Sequence, residues 1–77
     1  MTGRLPSLKA REVMRALERA GFVHARSKGS HRVYQHRDDP SRRTIVADHG
    51  GKDLPRGTLR AIIDQAGFTV EEFIDLL

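Results

Sequence analysis

The apolar residues at positions 10–20 recur at the spacing of one face of a helix. They follow one another at intervals of three, one, three and three residues, which predicts an amphipathic helix with this face: Ala10, Val13, Met14, Leu17 and Ala20. Ser7 is the predicted N-cap, because its hydroxyl can accept from a free N–H of the first turn. Gly21 suits the left-handed residue that ends a helix, and Phe22 can close back over Leu17.

Between residues 22 and 47 the pattern changes to short β-rich runs separated by turn residues. Strands are predicted at 22–27, 31–36 and 42–47. Residues 28–30 form a tight hairpin turn in which Gly29 can adopt a positive φ, whereas residues 37–41 form a looser turn. Consecutive hairpins predict an antiparallel sheet.

After a polar, glycine-rich connection at 48–53, helical spacing returns. Pro55 marks the start of a second helix, whose predicted buried stripe is Leu59, Ile62, Ile63 and Ala66. Gly67 and Phe68 repeat the glycine stop, that is, the pair of residues that ends the first helix at Gly21 and Phe22. Thr69 and Glu72 have the spacing of a capping box, which predicts a short last helix with the apolar face Val70, Phe73, Ile74 and Leu77.

This order predicts an α+β fold over a single domain, residues 1–77, with both main helices on one face of the three-stranded sheet and a short C-terminal helix. By analogy alone, α-β-β-β-α is the layout of double-stranded-RNA-binding domains. Alternation along the second strand puts His31, Val33 and Gln35 on one face and Arg32, Tyr34 and His36 on the other. Either Val33 or Tyr34 could face the core, and an exposed Tyr34 could stack on a base.

The charge of the chain indicates a class of binding partner. The chain has 14 Lys and Arg against 10 Asp and Glu, and residues 1–43 alone carry 11 basic and 4 acidic side chains. A basic surface attracts polyanions, which favours nucleic acid as the partner; the alternative is an ordinary solvated surface. The chain has no cysteine, which excludes disulfides. No long apolar run or signal-peptide pattern is present, so we expect a soluble, cytoplasmic protein.

Among the four histidines, His31 has the most suggestive context. His24, His31, His36 and His49 lack the spacing of a metal site, so no metal is expected. His31 follows a Gly-Ser turn, where an imidazole can remain accessible and exchange protons near neutral pH. The alternative is a histidine that only packs at a hairpin. His36 is either a second proton-transfer group or an exposed residue at a strand end.

Several polar side chains could bind phosphate near that histidine. Arg26, Lys28 and Arg32 are close to it in sequence and could hold a phosphate and offset its growing charge. Ser30 could donate to a phosphate oxygen or simply satisfy its turn. Further along the chain, Arg42 and Arg43 are expected to be general phosphate contacts. His49 and Lys52 flank two glycines whose N–H groups could bind phosphate as an anion nest; the alternative is a flexible loop that only leads into a helix.

Taken together, these segments resemble the HicA, or YcfA-like, family of bacterial toxins. The resemblance rests on Leu5-Pro6, Ala20-Gly21-Phe22, the run from Lys28 to Tyr34 (KGSHRVY), the run from Gly57 to Ile62 (GTLRAI) and Ala66-Gly67-Phe68. It extends over nearly the whole chain. One departure is Ala47, at a position where the family usually has proline.

The resemblance implies a cofactor-free, metal-independent endoribonuclease that cuts mRNA, slows translation and is neutralised by a HicB antitoxin. The catalytic histidine of the family corresponds to His31, with transesterification as the expected reaction. The antitoxin is expected to cover His31 and the basic face, and the free toxin to be a monomer. Two alternatives remain: a non-catalytic RNA-binding module, and an interaction protein or decayed toxin that only binds its partner. DNA binding by a helix-turn-helix is disfavoured, because strands separate the two main helices.

Overall fold

One helix, three strands, a second helix and a short third helix follow one another along the chain, as predicted. The computed structural model describes residues 4–77, and no helix in that range is long and apolar enough to cross a membrane. The elements are α1 (Ala10–Arg19), β1 (Phe22–Lys28), β2 (His31–His36), β3 (Arg43–Ala47), α2 (Arg56–Gln65) and α3 (Val70–Ile74). The α-β-β-β-α layout with a terminal helix is thereby confirmed.

The three strands form one antiparallel sheet in the order β1-β2-β3. His31 lies opposite Lys28 on β1 and opposite Ala47 on β3. The β1–β2 ladder is interrupted by a bulge: His24 pairs with Tyr34 and Arg26 pairs with Val33, so Ala25 has no partner. A bulge adds one residue to its strand, and the residues after it therefore exchange faces.

One face of the sheet packs against the helices, and it is the face of Tyr34. Tyr34 is only 3% exposed and belongs to the core, whereas Val33 is covered on the opposite face. Tyr34 therefore offers no ring for base stacking. Burial, followed by the nearby Glu18 carboxylate, raises the pKa of its phenol. The fully buried large apolar side chains are Val13, Leu17, Val46, Leu59, Ile62 and Phe73.

The start of α1 differs from the prediction. Its N-cap is Lys9 and not Ser7, and the Lys9 N–H donates to the Glu12 carboxylate at 2.9 Å. Lys9 also pairs with Asp53 through a β-bridge and a 3.6 Å salt bridge. Burial of Leu8 and this bridge keep the chain extended up to Lys9, so the helix starts two residues later than a Ser7 cap would allow.

Both predicted glycine stops are present, and the second is tied to the sheet. Gly21 and Gly67 have φ values of 98° and 84°, and at Gly67 both Schellman bonds form, from Gly67 N–H to Asp64 O and from Phe68 N–H to Ile63 O. A Cβ at position 67 would lie 2.9 Å from Arg42 Nε. Glycine is therefore required there by backbone conformation and by space.

Gly67→Ala is accordingly expected to lower the free energy of unfolding by about 1–3 kcal/mol, since it combines a left-handed conformation with a steric conflict. Gly57→Ala is the matched control, because Gly57 lies in α2 with open space around its Cβ position and alanine favours helix by up to about 1 kcal/mol. Urea denaturation measures the free energy of unfolding of both variants. Equal stability of the two variants would contradict the conclusion that position 67 needs a glycine.

The last helix is capped as predicted but packs through a slightly different face. Thr69 N–H donates to the Glu72 carboxylate at 2.8 Å, and Glu72 N–H donates to Thr69 Oγ1 at 3.1 Å, which completes the capping box. Phe73 is fully buried. The prediction for Leu77 was wrong: it is 44% exposed, and Leu76 packs against the core instead, because the helix ends at Ile74.

Candidate functional site

The face of the sheet opposite the helices carries an open groove of about 490 Å³. Cross-strand neighbours share a face, and the register places residues from all three strands side by side here. The groove extends from the β1–β2 turn, beside Lys28 and His31, to Arg43 at the start of β3. Its lining residues are Arg26, Ser27, Lys28, His31, Val33, Arg43 and Ile45.

His31 lies at the rim of this groove. It is the first residue of β2 and follows the turn at Gly29, where φ is 59°. The tight turn places the imidazole beside the end of the sheet, where it is exposed. The ring is thus accessible to a ligand, and the packed layer between sheet and helices is formed by other residues.

Three cations surround the groove: Arg26, Lys28 and Arg43. All three are exposed, and within residues 4–77 none has a carboxylate at salt-bridge distance. Within the described part of the chain, no acidic residue lines the groove. The site therefore combines an accessible imidazole with a local excess of positive charge, an arrangement suited to proton transfer at a bound phosphate diester.

The bulge at Ala25 is what brings Arg26 to this face. Val23 pairs with Gln35, and Arg26 pairs with Val33, so both lie on the open side although three positions separate them. In an unbroken strand, residues three apart point to opposite faces. The bulge allows Phe22 to be buried while Arg26 and Lys28 both lie beside His31. The sequence contains no glycine or proline in this strand to signal it.

The floor of the groove is apolar, which the sequence reasoning did not single out. Val33 and Ile45 are directly opposite each other on β2 and β3. Ile45 is 47% exposed, although it is a large aliphatic side chain. Its neighbours Thr44 and Val46 are buried on the helix side, and nothing in the sequence showed that the face of Ile45 would be left uncovered.

Two predicted phosphate contacts near His31 are directed elsewhere. Arg32 lies on the helix side of β2, as its pairing with Ser27 and Val46 requires, and its Nη2 is 3.7 Å from the Asp48 carboxylate. Ser30 lies in the turn, and its carbonyl accepts from the Asp48 N–H at 2.8 Å. The structure does not place either side chain in the groove.

Arg42 and Lys52 are not among the residues that line the groove either. Arg42 Nε donates to the carbonyl of Ala66 at 2.8 Å, and its guanidinium lies 5.5 Å from the Phe22 ring centre and 4.9 Å from that of Phe68. It connects the sheet to the end of α2. Lys52 is exposed in the connection before α2, beside His49 and Pro55.

The remaining histidines have other surroundings. His36 Nε2 donates to the Ala20 carbonyl at 3.1 Å while its Nδ1 accepts from the Asp38 N–H, and its ring edge packs on Phe22. His24 is hydrogen-bonded to Ser27 and stacked on Tyr34. His31 is thus the histidine that lines the groove. Within residues 4–77 no group of three or more metal-ligating side chains comes together.

Comparison with known proteins identifies the family. No individual curated protein matches the sequence significantly. The model of the HicA toxin family of bacterial toxin-antitoxin systems matches residues 10–68, from the start of α1 to the residue after the second glycine stop. The matched range includes every residue that lines the groove, and it covers most of the chain. The protein therefore belongs to the HicA toxin family.

Proposed function

We propose that this toxin is an endoribonuclease that cleaves mRNA, with His31 as its catalytic residue. The observation that carries the proposal is the convergence of an exposed imidazole and three cations, none of them ion-paired with a residue in the range 4–77, on one open groove. Cleavage of mRNA would slow translation and arrest growth, which would account for toxicity. Family membership and the net charge of +4 support a polyanionic substrate.

The reaction that fits these side chains is internal transesterification of RNA. The 2′-oxygen attacks the adjacent phosphorus and loses its proton to a base, while the bond from phosphorus to the 5′-oxygen breaks and that oxygen receives a proton from an acid. His31 can take either proton-transfer role, because imidazole accepts and donates protons near neutral pH. The products are a 2′,3′-cyclic phosphate and a 5′-hydroxyl. No metal or cofactor takes part in these steps.

The three groove cations have two functions in this mechanism. Arg26, Lys28 and Arg43 would hold the phosphates on either side of the cleaved bond and offset the extra negative charge of the five-coordinate transition state. Among residues 4–77 no carboxylate lines the groove that would oppose this charge at close range. The same positive surface would attract acidic groups of a HicB-type antitoxin, which would inhibit the toxin by covering His31.

The proposal is tested by incubating purified protein with a long RNA in the presence of EDTA. We expect the RNA to be shortened and the fragments to end in cyclic phosphate and 5′-hydroxyl groups, while DNA of the same sequence stays intact for lack of a 2′-hydroxyl. RNA that is retarded in a gel but not shortened would replace the nuclease with a non-catalytic RNA-binding module. Induction of the chain in a bacterium without effect on growth would indicate a protein that only binds its partner.

A further inference from the structure

The apolar floor of the groove is an exposed feature that the proton-transfer mechanism does not use. Val33 and Ile45 are cross-strand partners on the face that the helices leave open. Val33 is only 7% exposed although it lies outside the main core, so neighbouring side chains of the open face cover it, whereas Ile45 remains 47% exposed beside it. In a small domain, leaving such a side chain in water loses the stabilisation that burial would provide.

The chemistry around this floor fits one kind of occupant. Cations lie at the rim and aliphatic side chains form the base, so the groove matches a ligand with an apolar face and charged ends. A nucleotide has this composition, with a flat base whose faces are apolar and phosphates on both sides of its sugar. The volume of about 490 Å³ lies within the ~300–1,000 Å³ typical of small-molecule sites.

We propose that Val33 and Ile45 form a nucleobase subsite that accepts an unpaired base next to the cleaved phosphate, and that the groove therefore selects single-stranded over double-stranded RNA. This inference rests on the proposed nuclease function and adds the strandedness of its substrate. Ile45 is a positioning residue, because it would contact the base and not the reacting atoms, while the largely buried Val33 supports it from the neighbouring strand.

The preference for single-stranded RNA follows from the base surfaces that a duplex leaves free to contact an open sheet. In a double helix each base is stacked on both faces and paired along one edge, so neither face is free to lie on Ile45, and extruding a base has a free-energy cost. An unpaired base offers its face without that cost. Aliphatic side chains make no base-specific hydrogen bonds, so the subsite tolerates all four bases.

The experiment measures binding separately from cleavage. A fluorescent 2′-O-methyl RNA oligonucleotide has no nucleophilic 2′-hydroxyl, so fluorescence anisotropy gives its Kd with the intact chain. We expect the single strand to bind at least tenfold more tightly than a blunt duplex of the same sequence. Ile45→Ser should weaken binding of the single strand about five- to tenfold and leave binding of the duplex unchanged.

Val23→Ser is the matched control. Val23 is also 47% exposed and lies on the same face, opposite Gln35, but outside the groove lining. Its substitution should change neither the affinity for the single strand nor that for the duplex. Melting curves of both serine variants verify that they are folded. Equal affinity for single strand and duplex, or equal behaviour of the two serine variants, would overturn the subsite and leave the apolar floor to a protein partner.

The two proposals can fail independently. If the protein prefers the single strand and Ile45→Ser weakens that binding, but long RNA is not shortened, the subsite is supported as a binding site and the nuclease proposal is contradicted. If long RNA is cut but Ile45→Ser binds the oligonucleotide as the unmodified chain does, the nuclease stands and the subsite falls.

Discussion

Substitution of His31 by alanine should lower the rate of RNA cleavage by about 10²–10⁴-fold, the usual contribution of a general acid or base. Binding should persist, because the three groove cations and the apolar floor are unchanged. We expect the variant to bind the 2′-O-methyl oligonucleotide within about twofold of the unmodified chain. Rates of fragment formation under single-turnover conditions, measured in EDTA, test the catalytic part of this expectation.

His24→Ala serves as the control for removal of an imidazole. His24 is exposed like His31, but it lies on the opposite face of the sheet, stacked on Tyr34. Its loss should leave the cleavage rate within a few-fold of the original. Added free imidazole should restore part of the activity of His31→Ala, because only a missing proton carrier can be replaced in this way. An active His31→Ala protein would refute the catalytic assignment.

The second prediction with a large effect concerns stability. It is a substitution in α3, which lies outside the segment that the family model matches. Phe73 of α3 is fully buried, whereas the match ends at residue 68. Phe73→Ala should lower the free energy of unfolding by about 3–5 kcal/mol. Since a 77-residue domain has roughly 4–12 kcal/mol of stability in total, the substitution should remove at least about a quarter of it.

Urea denaturation and thermal melting followed by circular dichroism provide the measurement. Leu77→Ala is the control, because Leu77 follows α3 at 44% exposure and its truncation should cost less than about 0.5 kcal/mol. The expected drop in melting temperature for Phe73→Ala exceeds about 10 °C. Similar melting temperatures for the two variants would show that α3 is not part of the cooperative unit.

Most of the fold could be predicted from the sequence, because local patterns and tertiary packing agree in this chain. The stripe of α2 that includes Leu59 and Ile62 is buried as its spacing predicts, and both glycine stops have positive φ. The main error at a helix start arose at Ser7. A serine is a good cap in isolation, but the Lys9 bridge to Asp53 is a long-range contact that no local pattern records.

The candidate site was only partly predictable, for a similar reason. His31, Arg26, Lys28 and Arg43 were all proposed from the sequence, and the structure brings them to one groove. Arg42 could not be distinguished from Arg43 beforehand. Adjacent residues on a strand point to opposite sides, and only the packing of Phe22 and Phe68 shows which arginine is held at the helix side.

The unpaired Ala25 makes the pairing of the first strand as consequential as its composition. Removing Ala25 would make the His24–Tyr34 and Arg26–Val33 pairs consecutive and leave Arg26 and Lys28 on the open face, whereas pairing Ala25 in an unbroken ladder would turn both toward the helices. An alignment of this chain with other toxins of the family should therefore place a one-residue gap in that stretch at position 25, where the deletion leaves the faces of Arg26 and Lys28 unchanged.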